Sequence, residues 1–214
     1  MEVAIAVVGV FAILVGSELL WRLKLVRGEV ARKLIHISVG SFVAFWPYFM
    51  SWRMILLMSL AFLFVVSLSK RHGIFRSVHS VARKTQGEIF FPIGIGLAAL
   101  IQPTPIIFTA AMLHLSLADG LAAIVGRKYG LLHQYKIRNY TKTLAGSATF
   151  YLTSTIIILA TFLLSGTSVS WPLVPLLIWL PFAATVMENL AVGGIDNVLV
   201  PLLIILVLQA VRVS

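Results

Sequence analysis

"LADGLAAIVGRKYG", residues 117–130, closes an apolar run that begins at 104 and holds an aspartate within it. The run 104–125 has the length, about 17–25 residues, that a helix needs to cross the hydrocarbon core of a bilayer. A carboxylate in such surroundings is costly without a partner, and Arg127 and Lys128 follow immediately. The stretch therefore reads as a membrane helix with a charged site at its end.

Working outward, seven further apolar runs lie at about 3–20, 34–50, 53–69, 89–102, 148–165, 171–187 and 197–213. The 214 residues are 60% hydrophobic and 11% charged, more apolar surface than a soluble domain of this size can bury. The expected fold is an all-α integral membrane protein, one domain over 1–214, built as a polytopic bundle of about eight transmembrane helices. The run 89–102 is short and interrupted by Pro92, Gly94 and Gly96, so seven helices plus a re-entrant segment is the other arrangement. The N-terminal stretch lacks a positive leader region and is followed by basic residues, which describes a retained anchor with its N-terminus outside. There is no internal repeat and no low-complexity tract. The absence of cysteine excludes disulfides and thiolate metal sites.

The net charge of +10 invites a nucleic-acid reading that its distribution refuses. All but Arg53 and Arg212 of the 17 cations fall in three segments, 22–33, 70–84 and 127–142. Short basic loops between apolar runs face the cytoplasm and anionic headgroups. Eight spans with both termini outside put all three there, and no nucleic acid is expected as a partner.

The acids follow the same side. Of Glu2, Glu18, Glu29, Glu88, Asp119, Glu188 and Asp196, all but Glu2 fall at or near cytoplasmic ends of spans. Loops at about 21–33, 70–88, 126–147 and 188–196 thus form one charged face. Asp119 is expected roughly 9 Å inside the end of its run at 1.5 Å per residue. Nucleotide phosphates with a divalent cation want both signs of charge: carboxylates hold Mg²⁺ while Lys and Arg neutralise phosphate oxygens. Salt bridges that merely lock helices together are the plainer alternative.

Glycines 126, 130 and 146 suggest tight turns, and "TKTLAGS" (141–147) precedes a span. Backbone N–H groups at such a turn, with Lys142 alongside, would cradle phosphate, although the pattern is not a Walker A motif. Lys33 and His36 share a helical face at i, i+3. His36 is placed to touch a phosphate, to move a proton or simply to pack. His114 reads as packing, and His72, His79 and His133 have no metal-ligand spacing. "MENLAVGGIDNVLVP" (187–201) supplies Glu188, Asp196 and Asn197 around a Gly193-Gly194 turn, with helix capping as the plain reading of the Asp-Asn pair. Glu88 opens its span in a similar way.

In this order the fragments resemble the membrane family of dolichol kinases, phytol and farnesol kinases and CTP-dependent diacylglycerol kinases. The matching pieces are "RKLIH" at 32–36, "ADGLAAIVGRKYG" at 118–130, "KTLAGS" at 142–147, and Glu188, Asp196, Asn197 and Pro201. The family is also similar to lipid cytidylyltransferases. One departure stands out: many relatives read Asp-Asp-Asn where this chain has Ile195-Asp196-Asn197. The resemblance implies a lipid alcohol in the bilayer, a nucleotide (CTP, with ATP as the alternative) and Mg²⁺ or another divalent cation. It implies Asp119, Asp196, Asn197 and Glu88 toward the metal, and Asp119, Glu188 and Lys142 as catalytic groups, with Glu188 as supporting group or base and Asp119 as an alternative base. Lys33, His36, Arg127, Lys128, Lys142, Gly146 and Ser147 would bind the nucleotide phosphates. A cytidylyltransferase attacking the α phosphorus is the first rival, and a small transporter the second. Transporters tend to carry repeats and midplane charges, neither of which is found here.

Overall fold

The computed structural model describes residues 1–72, 86–166, 174–191 and 193–211, and the side chains of 1–69 in its first part. The expected loop at 70–84, with Lys70, Arg71, Arg76, Arg83, Lys84, His72 and His79, lies outside the described side chains, as does Arg212. Helix α1 is Glu2–Arg22, α2 Gly28–Ala44 and α3 Trp52–His72, with one 3-10 turn at Trp46–Tyr48 before α3. Helix α4 is Gly87–Ile101, and α5 (Pro105–Leu113) continues through a π turn at His114–Ala118 into α6 (Asp119–Tyr129). A hairpin of β1 (Gln134–Ile137) and β2 (Tyr140–Thr143) leads to α7 (Leu144–Leu164), α8 (Val174–Leu190) and α9 (Asp196–Ala210). Counting α5–π–α6 as one rod, the described residues form eight helical rods, in the order of the eight apolar runs.

Four rods, Glu2–Arg22, Trp52–Ser69, Pro105–Tyr129 and Leu144–Leu164, are long and apolar enough to cross a membrane. Helices α4, α8 and α9 are apolar but shorter. The first half of α2 carries Glu29, Arg32, Lys33 and His36, so only its second half is free of charged and imidazole side chains. The segment at 89–102 forms one continuous helix, Gly87–Ile101, that accommodates Pro92 within it.

The α5–π–α6 rod is the axis of the bundle: 72% of its most apolar window is buried, against 6% for α1. It packs on α2, α7 and α9, and Phe108, Phe150, Phe162, Ile204 and Ile205 fill the space between. Outward faces carry Phe11, Phe64, Leu163, Trp179 and Leu206, as a hydrocarbon solvent requires. Polar groups inside the rods bond locally: Thr109 to the Ala44 and Pro105 carbonyls, Ser116 to Met112. His114 is fully buried between the Ala110 carbonyl and Ser154 Oγ (2.7 and 2.8 Å), the packing role its sequence context suggests. The hairpin was not foreseen, because 131–143 has too few apolar residues to show a period of two.

Candidate active site

Helices α2, α6, α7 and α8, the hairpin and the 193–197 turn enclose a polar cavity of about 630 Å³. Its floor is set by the axial rod. The π turn inserts one surplus residue, so side chains beyond it are turned by roughly 100° relative to an uninterrupted helix. That phase brings Asp119, 8% exposed, to face α2. Lys33 Nζ lies 2.5 Å from Asp119 Oδ2, and His36 Nε2 lies 3.3 Å from the same oxygen. His36 Nε2 is also 2.7 Å from the Leu115 carbonyl within the π turn. The i, i+3 face read from Lys33 and His36 therefore converges on one carboxylate. Asp119 sits ten residues before the end of its helix, about 15 Å at 1.5 Å per residue. The helix runs four residues past the apolar run that ends at 125, and the expected depth of roughly 9 Å from the end of that run is unchanged.

Opposite, the hairpin register pairs Tyr135 with Lys142 on one face. Lys142 Nζ reaches Glu188 Oε1 at 2.5 Å and the Glu188 carbonyl at 3.2 Å. Burial opposes the charge on Lys142, but the Glu188 carboxylate more than offsets it, and the ammonium pKa lies above the ordinary lysine value. Tyr135 Oη bonds Ser147 Oγ at 2.5 Å and Asn189 Oδ1 at 2.8 Å, latching the hairpin to α7 and α8.

Asp196 opens α9 from the same wall. Among the described residues it makes no hydrogen bond or ion pair. Asn197 donates from Nδ2 to the Gly87 carbonyl at 3.1 Å, while its buried Oδ1 has no hydrogen-bond partner. The turn before them depends on Gly194, whose φ of +102° and approach to Gly87 (2.5 Å from where a Cβ would stand) exclude any side chain.

Asp119, Glu188, Lys142, Arg127, Gly146, Ser147, Lys33, His36, Asp196 and Asn197 all line this cavity. Two expected members do not. Lys128 is exposed on the far side of α6, over the Tyr129 ring, because its helical position points it away from α2 and α7. Glu88 lines a neighbouring apolar cleft instead. Gly126 and Gly146 are not turn glycines either. They sit at the α6–α7 crossing, where a Cβ on Gly126 would stand 3.2 Å from Gly146 Cα. The Gly146 N–H is bonded to Thr143 Oγ1 at 3.1 Å, and the Ser147 hydroxyl is held by Tyr135 and Asn189, so both shape the wall with their polar atoms already engaged. Among the described residues no three acids or histidines gather as a metal site.

Sequence reasoning missed Glu29, which pairs with Arg32 at the cavity mouth. It also missed Tyr135 and Asn189, since neither carries a signal until the hairpin is in place. Ile195 lines a different cleft, with Trp179 and Phe182.

The comparison with known proteins decides the family. A phytol kinase of Synechocystis sp. is 33% identical over 205 residues, covering 89% of this chain and 83% of that protein. This chain belongs to the phytol kinase family. A probable chloroplastic phytol kinase 1 of Glycine max is 28% identical over 219 residues, 91% of this chain and 70% of that protein. No protein-family model matches, and no solved structure does. Membership makes the protein a membrane-associated lipid-alcohol kinase, and the cavity is the candidate for its active site.

Proposed function

We propose that this kinase transfers the γ-phosphoryl group of a nucleoside triphosphate, CTP in the first instance, to the hydroxyl of an isoprenoid alcohol such as phytol. The observation that carries the reading is the double arrangement of a buried Lys33–Asp119 pair and a half-buried Lys142–Glu188 pair around one cavity that also holds Arg127, Asp196 and Asn197. Phytol follows the relatives' names, and CTP follows the family resemblance. The basic loops on this side support a cytoplasmic cavity with both termini on the other face.

Phosphoryl transfer needs positioning and charge neutralisation more than covalent help. Lys142 and Arg127 neutralise the phosphate oxygens, and Glu188 holds Lys142 toward them. The alcohol oxygen attacks the γ phosphorus in line, its O–P bond forming as the bond to the β-phosphate oxygen breaks and the nucleoside diphosphate leaves. The hydroxyl proton passes to Asp119, which Lys33 and His36 keep oriented. Asp196 and Asn197, consecutive at the start of α9, offer a carboxylate and an amide oxygen without a hydrogen-bond partner among the described residues, hard donors of the kind Mg²⁺ takes alongside phosphate oxygens and water. When bound there, Mg²⁺ would supply charge neutralisation at the β- and γ-phosphates.

The test supplies purified protein with Mg²⁺ and a panel of phytol, farnesol, geranylgeraniol, dolichol and diacylglycerol. CTP labelled in the γ position runs beside CTP labelled in the α position, with ATP in parallel. γ label in the lipid fraction is the expected result. α label there, with pyrophosphate released, would make the protein a cytidylyltransferase.

A further inference from the structure

A second cleft adjoins the polar cavity and shares Arg32, His36 and Gly87 with it. It runs between α1, α2, α3 and α4. Its end at the cavity carries Arg32, Glu88 and Ser69; beyond these it is walled by Leu14, Val39, Phe62, Val65 and Val66. Phe91 backs it, in ring contact with both His36 (4.7 Å) and Phe62 (6.0 Å). We infer that this cleft receives the first part of a single isoprenoid chain, with its hydroxyl at His36 and Asp119 and its tail leaving between α1 and α3 for the bilayer.

The inference rests on the kinase reading above and adds where the substrate lies and which class fits. Continuity is the first argument: a chain seated here brings its polar end to His36, 3.3 Å from the Asp119 carboxylate. Width is the second. The cleft is narrow, about 80 Å³ against about 630 Å³ for the polar cavity, so it takes the first carbons of one chain and leaves the rest to the bilayer. The third is the wall itself: α1 leans chiefly on α2, and its bilayer side leaves the cleft open laterally. A larger cleft of about 1020 Å³ between α4, α8 and α9 also borders the cavity, through Tyr140, Ala191 and Gly193. None of these three is a carboxylate or an imidazole, whereas His36 itself belongs to both the first cleft and the cavity.

The full chain in lipid nanodiscs is irradiated with geranylgeraniol carrying a diazirine in mid-chain, without nucleotide, and the labelled peptides are sequenced. Label on α1–α3 at Leu14, Val39, Phe62 or Val65, abolished by excess unlabelled geranylgeraniol, is expected. Val65 is 48% exposed, so Val65→Trp blocks the cleft mouth without disturbing the core. That variant lowers the labelling about tenfold and raises KM for geranylgeraniol about tenfold with kcat kept. Phe182→Ala, in the larger cleft, changes neither. Label at Trp179 or Phe182, or label on α1–α3 that excess alcohol does not displace, would overturn the assignment. Competed label in the cleft, with no phosphorylated geranylgeraniol in a parallel incubation with Mg²⁺ and CTP or ATP, would sink the kinase reading instead. Turnover of geranylgeraniol that Val65→Trp leaves untouched would sink the cleft and spare the kinase.

Discussion

The two lysine–carboxylate pairs have the same chemistry and different mountings. Lys33 and Asp119 project from α2 and the axial rod, their side chains 8% and 11% exposed. Lys142 comes from a short hairpin held by the Tyr135 latch, and its side chain is 22% exposed. Buried ion pairs contribute little net stability compared with apolar side chains of similar volume. Two such pairs in one cavity therefore point to use by a ligand. The first is fixed between two helices of the bundle, and the second hangs on a hairpin tied down by side-chain hydrogen bonds.

Asp119→Asn tests the rigid pair and should have the largest effect. Loss of the base lowers kcat by about 10²–10⁴-fold. Lys33 is left buried without a counter-charge, and stability in a thermal unfolding assay falls by about 3–5 kcal/mol. The double variant Lys33→Met/Asp119→Leu should recover the stability and none of the turnover. Recovery of both would reduce the pair to a structural clasp.

Lys142→Ala should separate the mountings. Its effect falls mainly on nucleotide KM, about 10–100-fold by the strength of a charged hydrogen bond, with a smaller loss of stability than at Lys33. The pKa of Lys142 is raised above 10.5, so its contribution to stability is complete below that value and fades only as pH climbs through the higher folded one. The stability gap between the parent and Lys142→Met should thus stay flat across the neutral range. A gap that closes near neutrality would contradict the pairing with Glu188.

Asp196→Asn probes the acid that neither lysine touches. Removing an unpaired charge should raise stability by about 0.5–1 kcal/mol while shifting the Mg²⁺ dependence of turnover to higher concentration. Unchanged Mg²⁺ dependence would free Asp196 from the metal role. Tyr135→Phe should have the smallest effect, about 1 kcal/mol for the lost latch and a few-fold rise in nucleotide KM. An effect as large as that of Lys142→Ala would mean the hairpin is fixed by its latch alone.

Much of this was legible in the residues. The eight rods follow from apolar runs of helical length, and the shared face of Lys33 and His36 and the carboxylate within an apolar run were each legible, although their meeting was not. What was not legible depends on chain reversals and helix phase. Gly126 and Gly146 look like turn residues in sequence, yet serve a helix crossing that only the three-dimensional packing of α6 on α7 reveals. Lys128 adjoins Arg127 in sequence, but one step of a helix carries it off the cavity. Tyr135 reaches Asn189 across more than fifty positions through a hairpin whose strands are four residues each, too short to declare themselves.

The π turn at His114–Ala118 has one more consequence. It makes the axial rod a shaft with a coupling in it, so the half that carries Phe108 and Met112 and the half that carries Asp119 keep separate angular settings. Deleting a single residue from the turn would produce a straighter, more regular helix, and that improvement would swing Asp119 away from Lys33 by roughly a quarter turn. Substitutions in the core half can then accumulate without rotating the acid, whereas a change of length anywhere in those five residues cannot be absorbed.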